Sequence, residues 1–180
     1  GPGALPQDPA QNGEAATPDG GVSTLASKSY AITSFSDLKA AVADTDSSTA
    51  QGDTITFVIK NDIVFTEVIA LPWNRSSVFV AEGGPWNLTW AGPAADSGWE
   101  GSARHFLSYG TADHAQTITF NAGLTIDGAG RGGGLSIGTG GSAPNYVNDN
   151  YNCTIVLNGA TFTNCVTAQS GGAISIDDYT

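Results

Sequence analysis

The sequence predicts an all-β protein in which short parallel strands wind into a solenoid behind one N-terminal α-helix. Three observations lead to this fold class: a composition with 24 Gly and no Met, a succession of short β-branched and aromatic runs, and an internal repeat. Glycine favours turns over long helices. A repeated unit too small to bury its own apolar face gains a core only by stacking on its neighbours.

Composition also limits the partners. The 180 residues carry 6 Lys and Arg against 17 Asp and Glu, for a formal net charge of −11. Binding to nucleic acid or to anionic lipid needs clusters of Lys and Arg, so we expect neither partner. No stretch approaches the roughly 18–20 apolar residues of a membrane span, so we expect no membrane insertion.

The chain divides into three regions. Residues 1–24 have almost no large apolar side chain, and we expect a flexible leader there because such a segment cannot offset its ordering entropy. Its start at 1–3 resembles the remnant of a cleaved tag. We expect a cap and the first coils over 25–104. Further coils are expected over 105–180, truncated at the C-terminus as in a piece of a longer protein.

The clearest helix signal covers residues 34–43. Ser34 or Ser36 suits the N-cap, and Asp37 suits the positive end of the helix dipole. Apolar residues share one face at helical spacing, namely Phe35, Leu38, Ala41 and Val42. We expect the polar run 44–48 to end the helix, which leaves a short lid of about ten residues.

The remaining chain reads as strands. Runs of β-branched and aromatic residues bounded by Gly, Asn and Pro predict strands over 53–59, 62–71, 77–81, 86–91, 104–109 and 117–120.

The segment 117–137 repeats at 154–176, with Thr117 aligned to Thr154. Once the Gly-rich insert at 138–152 is set aside, about 24 residues per unit remain, which suits one coil of a solenoid better than a sandwich. Each unit reads as a strand, an Asn corner, a second strand, a Gly-rich turn and a third strand. Inward side chains are expected at Ile118, Phe120, Ile155 and Leu157.

These residues resemble a known family. The helix and the strand that follows it, with Phe162-Thr163-Asn164 and Gly171-Gly172-Ala173-Ile174, resemble a right-handed parallel β-helix of the pectate-lyase-like superfamily. More narrowly, they are similar to bacterial surface adhesins with polymorphic-outer-membrane-protein repeats, whose units end in Phe-x-x-Asn and Gly-Gly-Ala-Ile. The second motif matches in full, whereas Cys165 stands where the first carries Asn. The resemblance implies a solenoid with a short N-terminal capping α-helix.

The same resemblance implies a function. It suggests a non-enzymatic, extracellular adhesin of the bacterial cell surface that binds a host or cell-surface glycan or protein through its loops, chiefly 138–152 and 91–103. We expect a monomer without a cofactor. Because the same solenoid also hosts enzymes, a polysaccharide lyase or hydrolase stays open as an alternative. A passive structural stalk is the third.

Two sets of residues are candidate sites. For catalysis, Asp127, Asp177 and Asp178 are the carboxylates in or next to the repeat, with Arg131 or Arg104 as a basic partner, although solvated surface charge is the favoured interpretation. For ligand binding, the stretch 73–109 is dense in aromatic residues that either stack on sugar rings or fill the first coils, and the second alternative is favoured. These are Trp73, Trp86, Trp90, Trp99 and Tyr109.

Other motifs predict little chemistry. His105 and His114 lack metal-ligand spacing, and His105 is expected to face outward because it alternates with Phe106. Cys153 and Cys165 either form a disulfide or remain two partly buried thiols, and the second arrangement is favoured. The glycine run at 128–133 matches a dinucleotide fingerprint but is followed by no helix, which favours a plain turn.

Overall fold

The structure is a computed structural model that describes residues 27–96, 100–109, 114–138, 153–168 and 171–176. The leader at 1–24, most of the insert at 138–152, Asp177 and Asp178 lie outside these residues. The described part contains one α-helix, α1 (Phe35–Ser48), and a 3₁₀ helix, Glu100–Ala103. Its strands are β1 (Ser27–Ile32), β2 (Thr54–Ile59), β3 (Ile63–Phe65), β4 (Ile69–Ala70), β5 (Ser76–Ala81), β6 (Trp86–Trp90), β7 (Phe106–Ser108), β8 (Gln116–Asn121), β9 (Leu124–Asp127), β10 (Leu135–Ile137), β11 (Cys153–Asn158), β12 (Thr161–Thr163) and β13 (Ile174–Ile176).

These strands form three sheets in which neighbouring strands are parallel. Sheet A has the order β1-β2-β5-β8-β11, sheet B the order β12-β9-β6-β3 and sheet C the order β13-β10-β7-β4. From β2 onward the chain visits sheets A, B and C in turn. The predicted all-β class is therefore confirmed, with parallel sheets.

Strand register follows the internal repeat. Thr117 pairs with Thr154 between β8 and β11, and Leu135 pairs with Ile174 between β10 and β13. The predicted single strand over 62–71 is instead two strands, β3 and β4, because the chain bends between them and enters a different sheet.

The inward faces of the sheets share one hydrophobic core. Alternate residues of β2 and β8 are buried, so the inward positions predicted for Ile118 and Phe120 are confirmed. On sheet A, Phe57, Phe79 and Phe120 stack in a row, with successive ring centroids 4.9 and 5.1 Å apart. Leu157 continues this row but is 48% exposed, because no described strand lies beyond β11.

Helix α1 begins as predicted and ends later. The Ser34 hydroxyl accepts a hydrogen bond of 3.1 Å from the Asp37 backbone N–H, which is N-cap geometry. The end expected at the polar run 44–48 is wrong, because the helix continues through that run. Thr45 is buried and donates its hydroxyl to the Val42 carbonyl, so it is accommodated inside the helix. Within the described residues, no helix has the length and apolar character of a membrane span.

Candidate functional site

A groove of about 260 Å³ holds Trp73 and Tyr109. One wall is the second half of α1, residues 42–46, and the other is the segment 70–73 that follows β4. Trp73 is 38% exposed, and Tyr109 is half-buried. We call this feature the aromatic groove.

Parallel pairing of β4 with β7 brings the two aromatic residues together. Ala70 lies opposite Leu107. The backbone N–H of Leu71 donates a hydrogen bond of 2.8 Å to the Leu107 carbonyl and extends this ladder. In the same register, Pro72 lies opposite Tyr109. Trp73 follows directly, so both aromatic side chains lie at the same corner of the fold.

Arg75 fixes the backbone of this corner. Arg75 is 6% exposed, and its guanidinium donates to the Trp73 carbonyl through Nη1 at 3.0 Å. It also donates to Thr49, the residue that ends α1, through Nε to the hydroxyl and Nη2 to the carbonyl, both at 2.9 Å. Because the guanidinium is planar and its donors have a fixed geometry, Arg75 joins the two walls of the aromatic groove rigidly.

The Gln116 side chain also holds the backbone of this corner. Its side-chain amide donates to the Arg75 carbonyl at 3.2 Å and to the Pro72 carbonyl at 3.4 Å. Its oxygen accepts a hydrogen bond of 2.9 Å from the Ser108 hydroxyl, and both side chains are buried. The loop that carries Trp73 is therefore anchored on both sides, which is the preorganisation that a binding site needs.

Three polar groups of the aromatic groove make no hydrogen bond to any other described residue. They are the Asp46 carboxylate, the Tyr109 hydroxyl and the Trp73 indole N–H. Trp73, which is partly exposed, supplies an apolar ring beside them. This arrangement suits a ligand that has hydroxyl groups on its edges and an apolar face.

A second cleft, of about 360 Å³, lies between α1 and β1, and its polar groups are already paired. The Tyr30 hydroxyl donates to the Asp44 carboxylate at 2.7 Å, and the Thr33 hydroxyl donates to Asp37 at 2.6 Å. Burial, followed by the hydrogen bond to Asp44, raises the pKa of Tyr30 to about 12. The same hydrogen bond is the largest cause that lowers the pKa of Asp44. This cleft offers a ligand fewer free polar groups than the aromatic groove.

The described catalytic candidates make separate contacts. Asp127 accepts a hydrogen bond of 2.8 Å from the Ala129 backbone N–H. Arg131 donates to the Gly92 carbonyl through Nη2 at 2.9 Å and Nε at 3.2 Å. No salt bridge joins Asp127 to Arg131, both of which are described. The other carboxylates, 177–178, lie outside the described residues, so their predicted approach to Asp127 stays a prediction.

The aromatic candidates differ in accessibility. Trp90 is 1% exposed and donates its indole N–H to the Pro93 carbonyl at 2.9 Å. Its ring lies in the core and cannot stack on a ligand, so Trp90 follows the alternative in which the aromatic residues fill the coils. Trp86 is half-buried and donates to the Glu82 carbonyl at 2.9 Å. Trp99 lies outside the described residues.

The expectation that His105 faces outward is wrong. Its ring is fully buried, with Nε2 2.8 Å from the Leu88 carbonyl and Nδ1 2.9 Å from the Gly134 N–H. Burial lowers the pKa of His105 to about 4. The alternation of strand residues predicts an outward His105 only where one face of the strand meets solvent. Every residue of β7 is buried, so His105, directly before it, has no solvent face either. Among the described residues, which include His114, no three His, Cys, Asp or Glu side chains are grouped to hold a metal ion.

The remaining candidates have structural positions. Cys153 and Cys165 are free, half-buried thiols, as favoured from the sequence. Burial raises the pKa of both thiols, that of Cys153 to about 11. The glycine run at 128–133 forms the turn between β9 and β10, so the element that follows it is a strand.

Sequence reasoning missed Asp46, which lines the aromatic groove, and the two residues that support its corner, Arg75 and Gln116. Asp46 belongs to a run expected to lie outside the helix, and nothing in the spacing of Arg75 and Gln116 predicts that they contact each other.

No protein-family model matches the chain, and no curated protein or solved structure matches it.

Proposed function

We propose that the chain forms a right-handed parallel β-helix whose N-terminal end is capped by α1. The repeated passage through sheets A, B and C supports this architecture. Parallel connections that return to the same sheet are nearly always right-handed, which supports the hand. Helix α1 packs against β1, an edge strand of sheet A, and against β3. A cap in this place keeps the first coil from pairing with another chain.

On this scaffold the chain acts as an extracellular adhesin of the bacterial cell surface that binds a host or cell-surface glycan. The observation that carries this function is the aromatic groove, in which a partly exposed Trp73 lies on a corner held by the buried Arg75, beside polar groups that bond to no other described residue. Binding residues on a loop fixed by a rigid scaffold are typical of recognition proteins. The similarity of 171–174 to adhesin repeats supports the same class.

A glycan array tests this function. The labelled full chain is applied to immobilised bacterial and animal glycans, with the heat-denatured chain as control. We expect concentration-dependent binding to a restricted set of glycans by the folded chain alone. Binding to none of them would overturn the proposal and favour a passive stalk. New reducing or unsaturated ends after incubation with soluble polysaccharides would favour the lyase or hydrolase class instead.

A further inference from the structure

We propose that the aromatic groove binds one neutral hexopyranose residue at the end of a glycan, with the sugar stacked on Trp73 and its hydroxyl groups bonded to Asp46 and Tyr109. This inference rests on the proposed adhesin function and names the site and the ligand class.

The size of the groove limits its occupant. Its volume of about 260 Å³ lies just below the range of roughly 300–1,000 Å³ that is usual for drug-sized ligands. One pyranose ring suits this space. A protein partner of ordinary affinity would instead cover about 800 Å² of surface. We therefore favour a terminal sugar over a protein partner.

The side chains match the two surfaces of a pyranose. Trp73 exposes 38% of its surface, and the electron-rich face of an indole attracts the polarised C–H groups on one face of a sugar ring. The Asp46 carboxylate only accepts hydrogen bonds, and its two oxygens can take protons from two adjacent hydroxyl groups. The Tyr109 hydroxyl both donates and accepts, so it can meet a third hydroxyl or the ring oxygen.

Charge selects among sugars. Asp46 is the one charged side chain among the described residues that line the groove. The buried Arg75 guanidinium behind the corner is already bonded to the Trp73 carbonyl and to Thr49. The whole chain has a net charge of −11. A carboxylated or sulfated sugar would meet like charge in the groove and lose the hydration of its own anion there. A neutral hexose avoids this cost and still offers the hydroxyl groups that Asp46 needs.

Binding requires little rearrangement of the groove backbone. Arg75 joins Trp73 to the end of α1, and Gln116 holds the carbonyls on both sides of this corner. A preordered corner reduces the entropy that a small ligand has to offset. The cleft at Tyr30 is the weaker candidate because its Asp44 carboxylate already accepts hydrogen bonds from Tyr30 and Lys28.

Saturation-transfer NMR with methyl glycosides tests the proposal directly. The probes are the methyl glycosides of galactose, glucose and mannose, with methyl glucuronoside as the anionic counterpart of the glucose probe. We expect at least one neutral glycoside to bind with a Kd on the order of 1 mM, and the glucuronoside to bind at least tenfold more weakly. Equal binding of the glucuronoside would overturn the charge argument.

Variants locate the site. Trp73→Ala and Asp46→Asn should each weaken binding of the neutral glycoside about tenfold or more, because each removes one of the two contact types. Trp86→Ala is the matched control, since Trp86 is a half-buried indole outside the groove. Circular dichroism and urea unfolding establish that every variant is folded. Undiminished binding by Trp73→Ala, or a loss with Trp86→Ala alone, would overturn the proposed site.

The outcomes separate this inference from the adhesin function. If the array identifies a glycan and Trp73→Ala still binds it, the aromatic groove is not the site, although the adhesin function stands. If no glycan binds on the array and no methyl glycoside binds by NMR, both proposals fail.

Discussion

The imidazole Nδ1 of His105 accepts a hydrogen bond of 2.9 Å from the backbone N–H of Gly134. This contact fixes the tautomer, since the ring hydrogen must then be on Nε2, where it donates to the Leu88 carbonyl. A protonated ring would place a second N–H against that of Gly134. Burial opposes the charge further and is the main reason why the pKa of His105 falls to about 4.

Stability is therefore expected to depend on pH through His105. The pKa is about 6.5 in the unfolded chain, so the unfolded state takes up the proton first as the pH falls. Above pH 6.5, neutral His105 contributes about 3 kcal/mol to the free energy of unfolding. This contribution is lost progressively as the pH falls to about 4. Urea unfolding at a series of pH values measures this slope.

Two variants isolate that slope. His105→Gln should be less stable at neutral pH and should lose most of the slope between pH 6.5 and 4, whereas His114→Gln should retain it. A His105 ring that titrates near pH 6.5 by NMR in the folded protein would contradict the prediction. Loss of stability at still lower pH has a different cause, because hydrogen bonds lower the pKa values of Asp37 and Asp44.

Phe79 is expected to be among the most costly core positions to truncate. Its ring stacks between Phe57 and Phe120 at 4.9 and 5.1 Å and is fully buried. Phe79→Ala should lower the free energy of unfolding by about 3–5 kcal/mol, because it removes a buried ring and leaves a cavity. Val64→Ala, on a strand residue that is 54% exposed, should change it by less than about 0.5 kcal/mol. Similar losses in the two variants would refute this account of the core.

The parts of the fold that depend on local pattern were predictable. The β-branched runs and the Ser34 N-cap follow from neighbouring residues, and the pairing of Thr117 with Thr154 follows from the internal repeat. The end of α1 was not predictable in this way. Burial of Thr45 is a tertiary effect, and it outweighs the weak helix propensity of the polar run 44–48.

The candidate site was predictable only in part. The density of aromatic residues indicated Trp73 and Tyr109, but composition cannot distinguish an exposed indole from the buried one of Trp90. The contact of Arg75 with Thr49 spans 26 residues of sequence and depends on where α1 ends. No local pattern encodes such a contact.

Gly134 is expected to tolerate no side chain. Its φ is +94°, and a Cβ there would collide with the carbonyl of Ala173 in the turn before β13. Gly134→Ala should therefore destabilise the fold by more than about 2 kcal/mol, through backbone strain and steric overlap together. Gly130 is the matched control, because its φ is +70° and a Cβ would meet no atom within 4 Å.

Gly130→Ala should cost only the backbone strain, about 1 kcal/mol. Urea unfolding of both variants gives the difference, which reports the steric overlap at Gly134 together with the extra strain of its larger φ. Equal losses would show that the close approach of Gly134 to Ala173 is unimportant.

Arg104 is expected to hold together the turns that lead into three neighbouring strands of sheet C. It lies just before β7, is 1% exposed and donates through Nη1 to the carbonyl of Gly172 at 2.6 Å and of Gly133 at 3.3 Å. Nη2 donates to the Gly171 carbonyl at 2.7 Å. Arg104→Met fills much of the same space without these donors and should lower the free energy of unfolding by about 2–3 kcal/mol.

The effect should also be local, because β13 is the edge strand of sheet C in the described part of the chain. Amide hydrogen exchange over 174–176 should become at least tenfold faster in Arg104→Met while β2 keeps its protection. Arg131→Met is the control, since Arg131 is exposed and donates to Gly92, far from β13 in sequence. Unchanged exchange over 174–176 would mean that the turn before β13 is held by its own backbone hydrogen bonds, such as that from Leu135 to the Ala173 carbonyl at 2.9 Å.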